Sequence, residues 1–238
     1  MKPECRKNLD EMYNNLLERY GKQNWWPATK KAKASPEYFE GKRSEKQKIE
    51  IIFGAILTQN TSWKNVEKAI TNLNKHDLID VKKIIRIEQK KLAELIKPSG
   101  YYNQKAKKLK NIAVFLRKYP ISQLEKMPLA EARKLLLDIN GVGKETADSI
   151  LLYALNKPIF VVDAYTKRIF SRLGLIKIDG DYDKVQKLFM KNLPHDGKIY
   201  NEYHALIVEH AKRHCRKKPE CGECLLAGYC NDKDFATV

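Results

Sequence analysis

Residues 135–151 read Leu135-Leu-Leu-Asp-Ile-Asn-Gly141-Val-Gly143-Lys-Glu-Thr146-Ala-Asp-Ser-Ile-Leu151. Two glycines flank one small apolar residue, and apolar runs of helical period stand on either side. Gly-Val-Gly makes a tight, Cβ-poor connection whose backbone N–H groups can face outward. The helix that follows brings the positive end of its dipole and its first-turn amides to the same place. A hairpin of this kind between two helices can hold a nucleic-acid backbone phosphate without reading bases. Gly141, Gly143, Lys144 and Thr146 are its expected contact positions. An ordinary turn between two helices uses the same residue types, so the spacing by itself leaves both readings open.

The rest of the chain is patterned as helix nearly throughout. Ala106, Leu109, Ile112, Ala113 and Leu116 recur at i, i+3, i+4 spacing, which predicts an amphipathic helix over 103–118 with a basic outer face. Similar periodicity covers 9–20, 46–57, 65–73, 130–137, 146–155, 185–193 and 200–213. Prolines, the triplet Pro98-Ser99-Gly100 and the pair Asn140-Gly141 punctuate the helices. No stretch reads as a convincing strand. The short run Ile159–Val162 is expected to lead into a helix. Residues 28–46 are polar and Lys-rich and read as a linker or long surface loop. The fold class is therefore all-α.

The 238 residues can hold one large or two small domains. Met1-Lys-Pro-Glu-Cys5 has no apolar leader core, and the longest apolar run, Ile51–Leu57, is too short to span a bilayer. A soluble, cytoplasmic protein is expected. Lys and Arg number 46 against 29 Asp and Glu, a formal charge of +17. A surplus of that size points to a polyanionic partner, most simply nucleic acid; a merely solvated lysine-rich surface is the plainer alternative.

Four of the five cysteines fall within sixteen positions: Cys215, Cys221, Cys224 and Cys230, in the spacing C-x5-C-x2-C-x5-C. Four thiolates so close in sequence can converge on one centre. A [4Fe–4S] cluster and a structural zinc both use such a set, and the spacing does not choose between them. A disulfide framework does not suit a chain without a secretory leader.

Twenty residues after Gly143 comes Asp163, within Ile159-Phe-Val-Val-Asp163-Ala-Tyr-Thr-Lys-Arg168. Asp163 follows an apolar run and opens a helix, so it is expected to cap that helix by accepting from an N2 or N3 amide. Gly141-Val-Gly143, the downstream Val-Val-Asp163 and the four C-terminal cysteines, in this order, resemble the endonuclease III superfamily of DNA repair glycosylases. Leu57-Thr-Gln59-Asn-Thr61 is similar to that family's Gln-bearing loop, and Pro98-Ser-Gly100-Tyr101-Tyr102-Asn103-Gln-Lys105-Ala106 to its second DNA-facing loop. Within the superfamily, Trp25-Trp26-Pro27 and Ile56-Leu-Thr-Gln-Asn-Thr61 look closest to the bacterial 3-methyladenine glycosylases. The resemblance implies a two-domain helical fold: a barrel over 48–155 with the helix-hairpin-helix at about 130–155, and a discontinuous domain of 1–47 plus 156–238. It also implies one [4Fe–4S] cluster on Cys215, Cys221, Cys224 and Cys230, and a monomer acting on double-stranded DNA that contains a damaged base.

Two positions depart from the family pattern. The first cysteine gap is one residue shorter than expected, although Arg216, Lys217 and Lys218 still offer cations for phosphate contact. Bifunctional members carry an imine-forming lysine at the second position after the Gly-Val-Gly turn, and this chain has Glu145 there. Lys144 is adjacent but points about 100° away on a helix. A carboxylate cannot form an imine. The resemblance thus implies a monofunctional glycosylase in which Asp163 stabilises the sugar cation left when the base departs. Gln59 is expected to fill the gap left by a flipped nucleotide and Tyr101 to wedge beside the orphaned base. Trp26 and Glu145 are expected at the base pocket, where aromatic faces and a carboxylate favour a cationic alkylated purine. The alternatives are a glycosylase/lyase for oxidised pyrimidines, a uracil or mismatch-thymine glycosylase, and a DNA-docking protein without catalysis. Leu206, where some alkylpurine relatives place a lysine, argues against carrying their substrate over unchanged.

Overall fold

The computed structural model describes residues 3–230. Twelve helices make up the described chain: α1 (Pro3–Tyr20), α2 (Glu45–Leu57), α3 (Trp63–Lys75), α4 (Val81–Arg86), α5 (Gln89–Leu95), α6 (Tyr102–Lys118), α7 (Ile121–Lys126), α8 (Leu129–Leu137), α9 (Lys144–Ser149), α10 (Ala164–Arg172), α11 (Tyr182–Asn192) and α12 (Gly197–Arg213). A π-helical turn, Ile150–Ala154, continues α9. Among the described residues extended pairing is confined to a single antiparallel bridge, Ala28 with Glu37. No described helix is long and apolar enough to cross a membrane. The internal contacts divide the chain into two compact units, one of Asn24–Lys157 and one of Met1–Gln23 with Pro158–Val238.

The unit Asn24–Lys157 is built round α2. Ser44 starts this helix with a reciprocal capping box: its hydroxyl accepts from Gln47 N, and Gln47 Oε1 accepts from Ser44 N. Every residue from Glu50 to Leu57 is buried, and each large apolar side chain there contributes about 1.5–3 kcal/mol. Packed round α2 are α3, α6 and the π turn. Of residues 28–46, expected to form a linker or long surface loop, 28–44 run as a loop that is anchored to this unit, and the last two open α2. Buried Glu50 accepts from Thr29 N at 2.7 Å, Thr29 Oγ1 at 3.0 Å and Asn74 Nδ2 at 3.0 Å. Arg43 donates to the carbonyls of Trp26, Phe39 and Gly41, each at 3.0 Å. A buried carboxylate and a guanidinium can each serve several groups at once, so a polar segment can be held as firmly as an apolar one. The expected boundary at residue 48 thus falls inside this unit, which begins at Asn24.

The other unit packs α1 against α12 and α11, and α10 against α12. Its centre is aromatic. Phe160 stacks on Phe189 at 4.1 Å with the rings 4° from parallel, and Phe170 and the fully buried Tyr203 meet Phe189 edge-on. Ile159–Val162 leads, buried and without regular secondary structure, to the start of α10, and Gln186 Nε2 donates to the Phe160 carbonyl at 2.6 Å.

Candidate functional site

The hairpin lies between α8 and α9. Its two helices are locked by a bidentate pair: Arg133 Nε and Nη2 donate to Asp148 Oδ1 and Oδ2 at 2.7 and 3.0 Å, with Asp148 fully buried. Gly141 has φ +96°, and a Cβ there would lie 2.5 Å from Lys108 Cγ, so both the backbone and the space require glycine. Gly143 is different. It is the N-cap of α9 with an extended backbone, and a Cβ would meet no atom within 4 Å. The first helical bond of α9 runs from Ala147 N to Gly143 O, so the bare face of Gly143 borders the amides that precede it.

Gln59 is bound to this hairpin. Its Nε2 donates to Gly141 O and to Thr146 Oγ1, both at 3.0 Å, while its Oε1 accepts from Lys108 Nζ at 2.6 Å. A single amide therefore ties the loop after α2 to α6 and to both sides of the Gly-Val-Gly turn. Before Gln59 could enter a duplex, it would have to exchange these bonds. Tyr101 stands beyond Gly100 in a left-handed conformation at φ 46° and is 66 % exposed. Buried Lys105 links the two loops, donating to Leu57 O at 2.8 Å and Ser99 O at 2.6 Å. Burial first, and Lys108 second, bring its pKa down to about 8. Lys144 is half-buried and Glu145 exposed in the first turn of α9.

The aromatic cluster in the same unit differs from expectation. Trp26 is 6 % exposed, lies against Gly54 of α2 and packs on Tyr153 at 5.3 Å and edge-on to Trp63 at 5.5 Å. It pins the segment rather than presenting a face. Half-buried Trp25 and Trp63, 5.0 Å apart and edge to face, are the more accessible indoles, with exposed Tyr38 5.9 Å from Trp25. Trp63 was not anticipated; the sequence signal for it was its position four residues after Gln59, at the start of α3. Tyr153 sits in the π turn that continues α9, so the hairpin and this cluster share one element.

In the other unit, Asp163 caps α10 as the sequence implied. Its Oδ1 accepts from Thr166 N at 2.7 Å and from Thr166 Oγ1 at 2.9 Å. Oδ2 lies 3.5 Å from His204 Nε2 on α12, with the two side chains 13 % and 9 % exposed. Burial alone would raise the carboxyl pKa, but His204 and then Thr166 outweigh it and hold it below its ordinary 3.8. His204 is not among the site residues expected from sequence. Its spacing from Tyr200, Tyr203 and Ile207 places it on the buried stripe of α12, where an imidazole needs a polar partner. Leu206 is fully buried.

Cys215, Cys221, Cys224 and Cys230 line one cavity with Ile169, Leu173 and Leu226. Burial, and the nearness of the other three thiols, push the Cys224 thiol up. Arg172 reaches in, its Nη1 donating to Cys215 Sγ at 3.2 Å and to Arg216 O at 2.7 Å, while Nη2 donates to Lys217 O at 3.0 Å. Among the described residues no three His, Cys, Asp or Glu side chains converge as ligands of a single ion. Four free cysteines about one cavity are the donor set that a [4Fe–4S] cluster takes, one thiolate to each iron. Arg216 and Lys217 are exposed beside this loop, with Arg216 paired to Glu220 at 2.9 Å.

Residues 53–195 match the HhH-GPD superfamily of base excision DNA repair proteins. The chain belongs to that superfamily. It is accordingly a DNA repair glycosylase of the helix-hairpin-helix class. A Methanocaldococcus jannaschii protein, named "Putative DNA repair glycosylase MJ1434", is 49 % identical over 98 % of this chain and its own full length. Endonuclease III of Thermotoga maritima is 29 % identical, over 81 % of this chain and 86 % of its own. The crystal structure of H. pylori 3-methyladenine DNA glycosylase (MagIII) bound to 1,N6-ethenoadenine superposes with a TM-score of 0.66 at 32 % identity, covering 88 % of this chain and 96 % of that one.

Proposed function

We propose that this HhH-GPD protein is a monofunctional DNA N-glycosylase that removes an alkylated purine from double-stranded DNA. The observation that carries the reading is the environment of Asp163. Its carboxylate is ionised well below neutral pH, its Oδ1 is committed to Thr166, and its side chain keeps some exposure. An anion held in this way suits the developing oxocarbenium charge at C1′ and can orient the water that attacks it. Glu145 at the second position after Gly-Val-Gly supports the monofunctional assignment, since a carboxylate cannot form the imine that precedes strand cleavage. The accessible indoles of Trp25 and Trp63 favour an electron-poor purine as the stacking partner. The likeness to a protein described as a 3-methyladenine glycosylase, with ethenoadenine bound, points the same way.

The cysteine cavity supports one [4Fe–4S] cluster held by Cys215, Cys221, Cys224 and Cys230. When bound, such a cluster cross-links residues 215–230. Arg172 holds the backbone of Arg216 and Lys217, which presents the basic loop to phosphate. Incubation with duplexes carrying methylated purines, oxidised pyrimidines, uracil or mismatched thymine tests the assignment. Free methylated purine should appear, and borohydride should trap no enzyme–DNA adduct. Efficient trapping, or release confined to oxidised pyrimidines, would contradict it.

A further inference from the structure

Asp163 has four lone-pair directions to satisfy or to use. Thr166 fills both on Oδ1 through its amide and its hydroxyl. A carboxylate anchored by one oxygen still rocks about χ2, a broad torsion. The other oxygen, Oδ2, faces His204 Nε2 at 3.5 Å, from a different helix and forty-one positions away in sequence. His204 is itself confined: its ring is 9 % exposed and stands edge-on to Phe160 at 6.5 Å. Phe160 is stacked on Phe189 in the aromatic core.

We propose that His204 is a positioning residue for Asp163: Thr166 on Oδ1 and His204 on Oδ2 together fix the carboxylate plane and leave one edge for the sugar. The proposal rests on the reading that Asp163 is the reacting carboxylate. The lowered pKa of Asp163 is the electrostatic counterpart of the same contact. His204 does not touch the substrate. It acts by holding the orientation of the group that does, and placement errors of about 1 Å can cost on the order of 100-fold in rate.

Three variants separate this role from packing. His204→Leu keeps an apolar body against Phe160 but removes the polar contact. His204→Gln restores a donor to the carboxylate, and His204→Glu, of the same shape, presents a second anion instead. Single-turnover base release from methylated duplex DNA should fall by about 10- to 100-fold in H204L. H204Q should keep most of the rate and H204E should be slowest. Affinity for undamaged DNA should change little between H204Q and H204E, since neither alters the hairpin or the basic surface. Equal release by H204Q and H204E, or wild-type release by H204L, would overturn the proposal. If H204L does not fold, the Gln/Glu pair decides alone. Asp163→Asn serves as the separating control. If it retains base release, the underlying function is wrong. If it abolishes release while all three His204 variants match wild type, only the positioning role fails.

Discussion

Lys105 shows how much one side chain can organise. It is almost wholly buried, and its ammonium joins the end of α2 to the turn before Tyr101. Lys105→Met would leave two buried carbonyls without this donor, at about 1–3 kcal/mol each. Its pKa is about 8 when folded and about 10.4 when unfolded. Between those values the unfolded chain holds a proton that the folded chain has released, so this group's contribution to stability rises with pH through that window. Denaturant melts at pH 7.5 and 9.5 should show K105M destabilised at both and lacking that increment. An identical pH slope in both proteins would contradict the assignment. The sequence offered Lys105 only as part of a loop motif, because periodicity does not say which buried position will carry a charge. His204 escaped for the same reason. Asp163 was legible because a cap is a local event: its acceptor and the Thr166 amide lie three residues apart.

At the scale of elements, the hairpin glycines make opposite demands. Gly141 is bound by its positive φ and by the Lys108 stem, whereas Gly143 has an ordinary backbone and open space. Gly141→Ala should cost about 1–3 kcal/mol in thermal or denaturant melts, through strain and overpacking. Gly143→Val should melt like wild type yet bind damaged and undamaged duplexes more weakly by similar factors, because its side chain covers amides that meet phosphate. Lost stability in G143V with unchanged binding would reverse the two roles. The long helices were visible in sequence since two or more turns of i, i+3, i+4 spacing define a face. Short α4, α5 and α7, six or seven residues each, hold too few apolar positions to set a period. For residues 28–46 the loop was legible but its anchoring was not, because the anchors, Glu50 and Arg43, are polar, and polarity in sequence suggests solvent. The aromatic pair could be seen but not oriented; burial of Trp26 beneath Trp25 follows from Gly54 admitting an indole to α2.

For the whole molecule, the charge of +17 and the amide-lined hairpin make DNA affinity a matter of counterion release. Log affinity should fall linearly with log salt, by a slope near −0.9 for each phosphate engaged. A flat plot would mean that the lysines only solvate the surface. Protein purified without oxygen should carry roughly four irons per chain with little zinc, since four thiolates saturate one cubane. The central claim is hydrolysis of the glycosidic bond by Asp163 without an imine, and one assay addresses it directly. Wild type and Asp163→Asn are incubated with a methylated duplex, and released base is quantified alongside strand breaks before and after heating in alkali. The account predicts free base and an intact abasic strand from wild type, broken only by alkali. From D163N it predicts unchanged DNA binding and base release reduced by at least about 100-fold. Base release undiminished in D163N, or strand cleavage by wild type without alkali, would contradict it.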